Sequence, residues 1–570
     1  MSPLTFSIIR QSTQLSAARR GTVVMTSSVS SSSSPLADND ATKKDKRVIE
    51  TPGCFMYSVK GSVPHLTPDT LRLQGFGGVN VSIEQLLQDH QPTGLDKWPF
   101  TLSKFLNLQD LILLCDIREA SSFTKVPFNS DRFVSMISNK GVRQLTLEDY
   151  LKVVRAYHPD IVGAFTDSIS DTKEPGQKRV RKSVERSLKW LDQVLLERQG
   201  FDGLAQDREA EEKKKLKSRN KENQTPIVSE TVASVSVSPV KRTTLPWTDV
   251  GLFAHVQGAQ FEQERVRSAQ ETAKRTGVDG YIVDTNALPG SRDDILKMLK
   301  ASMDHLPKDK PRLVYGMQAP EDVLRSIALG ADLFDTSYPF LLTEDGKASL
   351  FSFGSVTTPS NTASIDSATA SLQASSINSS ANNRWINLWD DEHADKFVPI
   401  MEGCECYACK GGRHTRAYIN HLLKAHEMLA TVLLMSHNMH QYSKFFANIR
   451  QSIASGTFDQ LSQQFRDQFG TEPERTGEIH EAQRIVEASL SKRNRLDSSA
   501  EGSAAGSGDA SPVASDPAEL AALKEARKAE KAQKAQEKKQ RQMVNKKEKR
   551  LQKLKERELL EEQKVVDSKA

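Results

Sequence analysis

The sequence predicts an α/β fold: a (β/α)8 barrel carrying a metal-binding subdomain. Short apolar runs alternate with amphipathic helical stretches through the middle of the chain. Three cysteines crowd into six residues, CECYAC, just ahead of a histidine-studded stretch. No G-x-G-x-x-G follows any of the strand-like runs, so a dinucleotide-binding sheet has no support and the barrel is the favoured parallel architecture.

The alternation begins at GLFAHV (251–256), an apolar run too short for a buried helix. FEQERVRSAQETAKRTG follows with helical periodicity and a closing Gly277. VDGYIVD (278–284) is again strand-like, and DDILKMLKASMDHLP again helical. PRLVYGM (311–317) forms the third strand, PEDVLRSIALG a helix ending at Gly330, and ADLFDTSYP (331–339) the fourth strand. Strands separated by helices in units of roughly 25–35 residues imply parallel βαβ crossovers.

The flanks have a different composition. Only 37% of the 570 residues are hydrophobic and the mean hydropathy is −0.51, low for a chain that folds along its whole length. Residues 1–48 contain Arg10, Arg19 and Arg20, many serines and no acid before Asp38, which predicts a disordered leader or a targeting segment. The barrel domain is expected over 49–490, with insertions at 203–244 and 354–383 and a zinc subdomain at about 400–460. A flexible linker at 491–516 then precedes a charged helical tail at 517–570. From Ala521 to Ala570 there are 17 Lys and Arg against nine Asp and Glu, a net of +8 within an overall +5. The other 520 residues therefore carry −3, and the basicity belongs to the tail rather than the body. No apolar run reaches the roughly 18–20 residues of a membrane span.

Five cysteines in a chain this long do not make a disulfide scaffold. Cys404, Cys406 and Cys409, spaced C-x-C-x-x-C, suit one soft ion, and zinc needs a fourth ligand. His414, His421, His426, His437 and His440 are the candidates. If 415–440 is one helix, residues 422, 426, 429, 433, 437 and 440 share a stripe, which turns His426, His437 and His440 inward. His421 falls off that stripe, and His414 is too near the cysteines to close a comfortable loop.

CECYAC followed by HTRAYINHLLKAHEMLATVLLMSHN resembles the zinc-binding region of the queuine tRNA-ribosyltransferase family. KPRLVYGMQAPEDVLRSIALGADLFDTSYP resembles the strand–helix–strand that delivers that family's nucleophile, and VGLFAHVQGAQFEQERVRSAQETAK its base-recognition strand. With KRVRKSVERSLKWLDQVL (178–195) and PHLTPDTL (64–71), the likeness covers most of 50–460. The resemblance implies a TIM barrel with one Zn2+ per subunit, held by Cys404, Cys406, Cys409 and His437. It also implies exchange of guanine for queuine at the wobble position of tRNAs with GUN anticodons. In catalytic members an aspartate attacks the ribose C1′ and a second aspartate handles protons.

By this resemblance Asp335 stands at the nucleophile's position, Gln257 at a base-reading glutamine and Asp167 at a base-binding aspartate. The family's Asp-Ser-Gly-Gly-Phe-Gln segment has no counterpart; only CDIREASS (115–122) lies in its neighbourhood. Tyr338-Pro339-Phe340-Leu341 replaces Pro-Thr-Arg, and Gly280-Tyr281-Ile282 replaces the base-pocket Gly-Gly-Leu, which puts Tyr bulk where a purine should lie. The expectation is a non-catalytic subunit that pairs with a catalytic homologue and supports action on tRNA. Tyr418–His440 and 444–450 are expected near the interface, and the setting is cytoplasmic, with peripheral association at the mitochondrial outer membrane. The alternatives are a self-sufficient base-exchange enzyme using Asp335 and a zinc-stabilised RNA-binding protein driven by the basic tail.

Overall fold

The computed structural model describes residues 3–12, 16–26, 46–87, 101–119, 129–138, 141–169, 175–200, 247–286, 288–354 and 384–469. Two units divide the chain, Met1–Asn494 and Arg495–Ala570, and every described residue lies in the first. The expected insertions (apart from Gly354), the linker and the charged tail fall outside the described residues.

Three antiparallel strands come first: β1 (Leu4–Gln11), β2 (Arg19–Thr26) and β3 (Lys46–Thr51). The barrel opens with β4 (Gly53–Tyr57), β5 (Gly78–Ser82) and β6 (Ile112–Asp116). A hairpin, β7 (Phe133–Ser138) and β8 (Gly141–Thr146), interrupts it. Five more strands complete the ring: β9 (Ile161–Gly163), β10 (Gly251–Val256), β11 (Gly280–Asp284), β12 (Arg312–Tyr315) and β13 (Leu333–Asp335). All eight barrel strands pair in parallel and in chain order, with β13 returning to β4. This is the expected (β/α)8 barrel.

The four strands read from the sequence are present, and so are the helices between them. Glu262–Ala273 is followed by Gly277 at φ +90°, and Pro320–Ala328 by Gly330 at φ +92°, the left-handed positions that close helices. Arg292–Met303 starts on a capping box between Ser291 and Asp294. The fourth strand is shorter than expected. It stops at Asp335, and Ser337–Glu344 is helical, because Pro339 in a first helical turn forfeits no backbone bond.

The disordered reading of 1–48 is corrected over its described residues, which form β1, β2 and the start of β3. Leu4, Val23, Met25 and Ile49 join one buried cluster with the barrel-interior residues Phe55 and Leu333, so the N-terminal sheet floors the barrel. Two of the arginines read as leader composition are structural. Arg19 forms a bidentate pair with the fully buried Asp332 at 2.7 and 2.6 Å, and Arg20 meets Glu50 at 3.5 Å.

Candidate metal centre and barrel mouth

A second core cluster forms around the cysteines. It begins earlier than the expected residue 400, because β14 (Lys347–Ser349) and β15 (Trp385–Asn387) form its two-stranded edge and contribute Ala348 and Ile386. The stretch 415–440 is not one helix. Arg416–Lys424 ends at a break where His426 takes φ +54°, and Met428–Ser455 restarts on a new axis. The single stripe through residues 422 to 440 is therefore interrupted. His426 leaves it to face Trp389, with ring centroids 6.0 Å apart. His414 lies between Tyr407 and Tyr418, and His421 is exposed.

His437, from the middle of the long helix, is wholly buried. Its Nδ1 stands 3.7, 3.5 and 3.4 Å from the Sγ atoms of Cys404, Cys406 and Cys409. All four donor atoms lie within 4.8 Å of one another. A tetrahedral zinc with bonds of about 2.3 Å to sulfur and about 2.0 Å to nitrogen would separate S and N by about 3.5 Å. The spacing fits that ion without rearrangement.

The surroundings prepare the ligands. His437 Nε2–H donates to the Ser349 carbonyl at 2.8 Å, which leaves the Nδ1 lone pair aimed at the thiols. The Gln441 amide donates to Cys404 Sγ at 3.1 Å, and the Cys409 N–H to Cys406 Sγ at 3.3 Å. Asn438, beside the histidine, accepts from Ser349 N–H at 2.8 Å and donates to the Lys347 carbonyl at 2.9 Å. Hydrogen bonds from Cys406 and Cys409 hold the Cys404 thiol well below its ordinary value, whereas Cys404 and Cys409 push Cys406 up.

The barrel mouth contains a separate group of acids. Asp335 ends β13, wholly buried; its Oδ1 accepts from the Ser337 N–H at 2.7 Å. Burial, reinforced by Asp284, raises its carboxyl above the usual range. Asp284 ends β11, and burial raises it too. Asp116 ends β6 and meets His255 Nε2 at 3.1 Å. Burial pulls that imidazole down, but Asp116 more than offsets it. Gly163 is required here, because a Cβ on it would stand 2.5 Å from Asp116 Oδ1.

A family model described as queuine tRNA-ribosyltransferase matches residues 39–471. The chain belongs to the queuine tRNA-ribosyltransferase family. A Xenopus tropicalis relative named queuine tRNA-ribosyltransferase accessory subunit 2 is 31% identical over 442 residues, which cover 74% of this chain and 94% of the relative. Relatives of the same name from Homo sapiens and Danio rerio are each 30% identical. Those alignments cover 74% and 72% of this chain and 93% and 91% of the respective relatives.

In a queuine tRNA-ribosyltransferase scaffold, the residues expected to read the base are engaged elsewhere. Asp167 is wholly buried and accepts from Arg179 through two bonds of 2.8 Å, from Asn129 at 2.7 Å, and from Arg186. A carboxylate offers about four acceptor sites, and these contacts use them all. Gln257 Nε2 donates to Thr166 Oγ1 at 3.0 Å.

Two expectations about the mouth are corrected. Asp335 is not a lone carboxylate, since Asp284 at the end of β11 and Asp116 at the end of β6, with His255 on β10, share the same mouth. Those acids were missed, although each aspartate directly follows an apolar run, ILLC or YIV, at the end of a parallel strand. Nor does Tyr281 fill the base pocket. Side chains alternate along β11, so Tyr281 points outward among residues of the helical layer while Ile282 faces the interior. Tyr338 likewise packs outward, its ring 6.4 Å from Phe351 and 6.2 Å from Tyr442.

Proposed function

We propose that this chain is the non-catalytic subunit of a heterodimeric queuine tRNA-ribosyltransferase. It supports exchange of guanine for queuine at the wobble position of tRNAs with GUN anticodons. The observation that carries this reading is an ordered Cys3His set beside a mouth in which Asp167, the expected base-binding aspartate, is spent on internal bonds and the Gln257 amide donates to Thr166.

Three thiolates and one imidazole form the ligand set of a structural zinc, one per subunit, with no position left open for substrate. That ion pins the long helix to the cysteine loop, while His437 and Asn438 tie the helix to β14 through Ser349. The partner surface is the outer face of the same subdomain. Met428 (84% exposed), Phe397 (79%), Tyr407 and Tyr418 expose apolar area there. Phe445 and Phe446, in the 444–450 stretch also expected near the interface, are buried in the chain's own core and serve no partner. The location is cytoplasmic, with peripheral attachment at the mitochondrial outer membrane. No described helix is long and apolar enough to cross a membrane.

The test mixes the chain with its catalytic homologue, tRNA and labelled guanine. Neither subunit alone is expected to incorporate label, and the pair is. Asp335→Asn in this chain should change the pair's rate by less than about twofold, and Met428→Asp should weaken assembly. Incorporation by this chain alone, abolished by Asp335→Asn, would make it an enzyme instead.

A further inference from the structure

The helix Gln177–Arg198 follows β9, and its first half carries six Lys and Arg against one Glu between Gln177 and Trp190. This stands out in a chain whose 520 residues before Ala521 carry a net −3. The arginines are occupied. Arg179 and Arg186 hold Asp167, and Arg181 holds Glu185 at 3.0 Å. Val180, Val184, Trp190 and Leu191 bury the opposite face.

The lysines are different. Lys178, Lys182 and Lys189 are exposed, and none has an ion-pair partner within 4.0 Å among the described residues. At 100° per residue the three fall within about 40° of arc, along about 16 Å of helix axis. They form one ridge of solvated ammonium groups. Because Arg179 and Arg186 bind Asp167 just beyond the C-terminal end of β9, the ridge starts at the mouth side of the barrel.

We propose that Lys178, Lys182 and Lys189 form a binding ridge for the sugar-phosphate backbone of RNA. This inference rests on the tRNA-modifying reading above. The side-chain chemistry selects the partner. An acidic protein surface is best matched by guanidinium forks, which pair bidentately with carboxylates. Here two forks are spent on the buried Asp167 and the third, on the exposed Arg181, is paired with Glu185, so the unpaired cations of the helix are compact point charges. Such charges suit phosphates, which position a nucleic acid without reading its sequence.

The test uses the full chain in complex with the catalytic homologue and a fluorescent tRNA, titrated at several salt concentrations. In the combined Lys178→Gln, Lys182→Gln, Lys189→Gln variant, the slope of log affinity against log salt should fall by about 1 per lysine. Affinity at low salt should fall on the order of tenfold or more. The corresponding three Lys→Arg replacements should retain both. Changing Lys274, Lys297 and Lys300 to Gln, lysines outside this helix that are already paired with Glu271, Glu262 and Asp304, should leave the slope unaltered. An assembled complex whose slope ignores the ridge overturns the proposal. So does a ridge variant that loses the partner but keeps the slope, since that marks a protein contact. If the unaltered chain binds no partner at all, the subunit reading fails instead, and that failure shows before any tRNA is added.

Discussion

Cys406→Ser and His437→Ala are each expected to leave the purified chain without its metal and destabilised on the order of 5 kcal/mol or more. The reasoning starts from the cluster itself. The four donors sit at the separations of a tetrahedral ion, and the residues around them have almost no alternative core. Ile386, Leu388, Ile400, Ile419 and Leu433 pack about the cysteines, not into the barrel interior. Removing one ligand leaves a buried imidazole with two thiols (Cys406→Ser) or three buried thiols (His437→Ala) facing each other without the charge that organised them. Elemental analysis should fall from one zinc per chain to near zero, and proteolysis should open the segment between β15 and the long helix. Gln441→Leu is the graded control. It removes the amide hydrogen bond to Cys404 but no ligand, so metal should remain bound with affinity weakened about 10–100-fold. A wild-type chain free of zinc, or a Cys406→Ser chain that keeps both metal and fold, sinks the assignment.

The barrel was legible because its strands are buried on both faces, so they read as unbroken apolar runs rather than alternating ones. GLFAHV, YIVD and RLVY announce themselves in this way. The other half of the ring did not. The three residues of β9 are too few to show a pattern, and Asn80 interrupts β5 because its amide donates to the Tyr315 hydroxyl inside the barrel. The metal ligands were legible as a set of residue types, yet the helical geometry used to rank the histidines was wrong. The break at His426 cannot be seen in a sequence with no glycine or proline there. Asp167 shows the deeper limit. A carboxylate at a strand end looks like a base reader until the two arginines one and three turns into the next helix are found to hold it.

Breaking the Arg19–Asp332 pair is the other change with a large expected effect: Arg19→Ala or Asp332→Ala should cost about 3–5 kcal/mol. Both side chains are shut away from water, at 3% and 0% exposure, and each serves several partners. Arg19 also donates to the carbonyl oxygens of Lys308 and Lys310, and Asp332 also accepts the Arg312 N–H at 2.9 Å. Removing either group strands a buried charge, whereas replacing both with apolar residues (Arg19→Met with Asp332→Leu) should cost less than either single change. Denaturation of the four proteins measures the cycle. The same contact bears on where the protein works. Cleavage of a targeting segment beyond Thr26 would remove β1 and β2, and their loss would bare Phe55 and Leu333 at the barrel floor. A chain lacking residues 1–26 should therefore aggregate, and the cellular protein should retain those residues when its N-terminus is mapped by mass spectrometry. A soluble, partner-competent form starting beyond Thr26 would show that the floor is dispensable and would revive the leader.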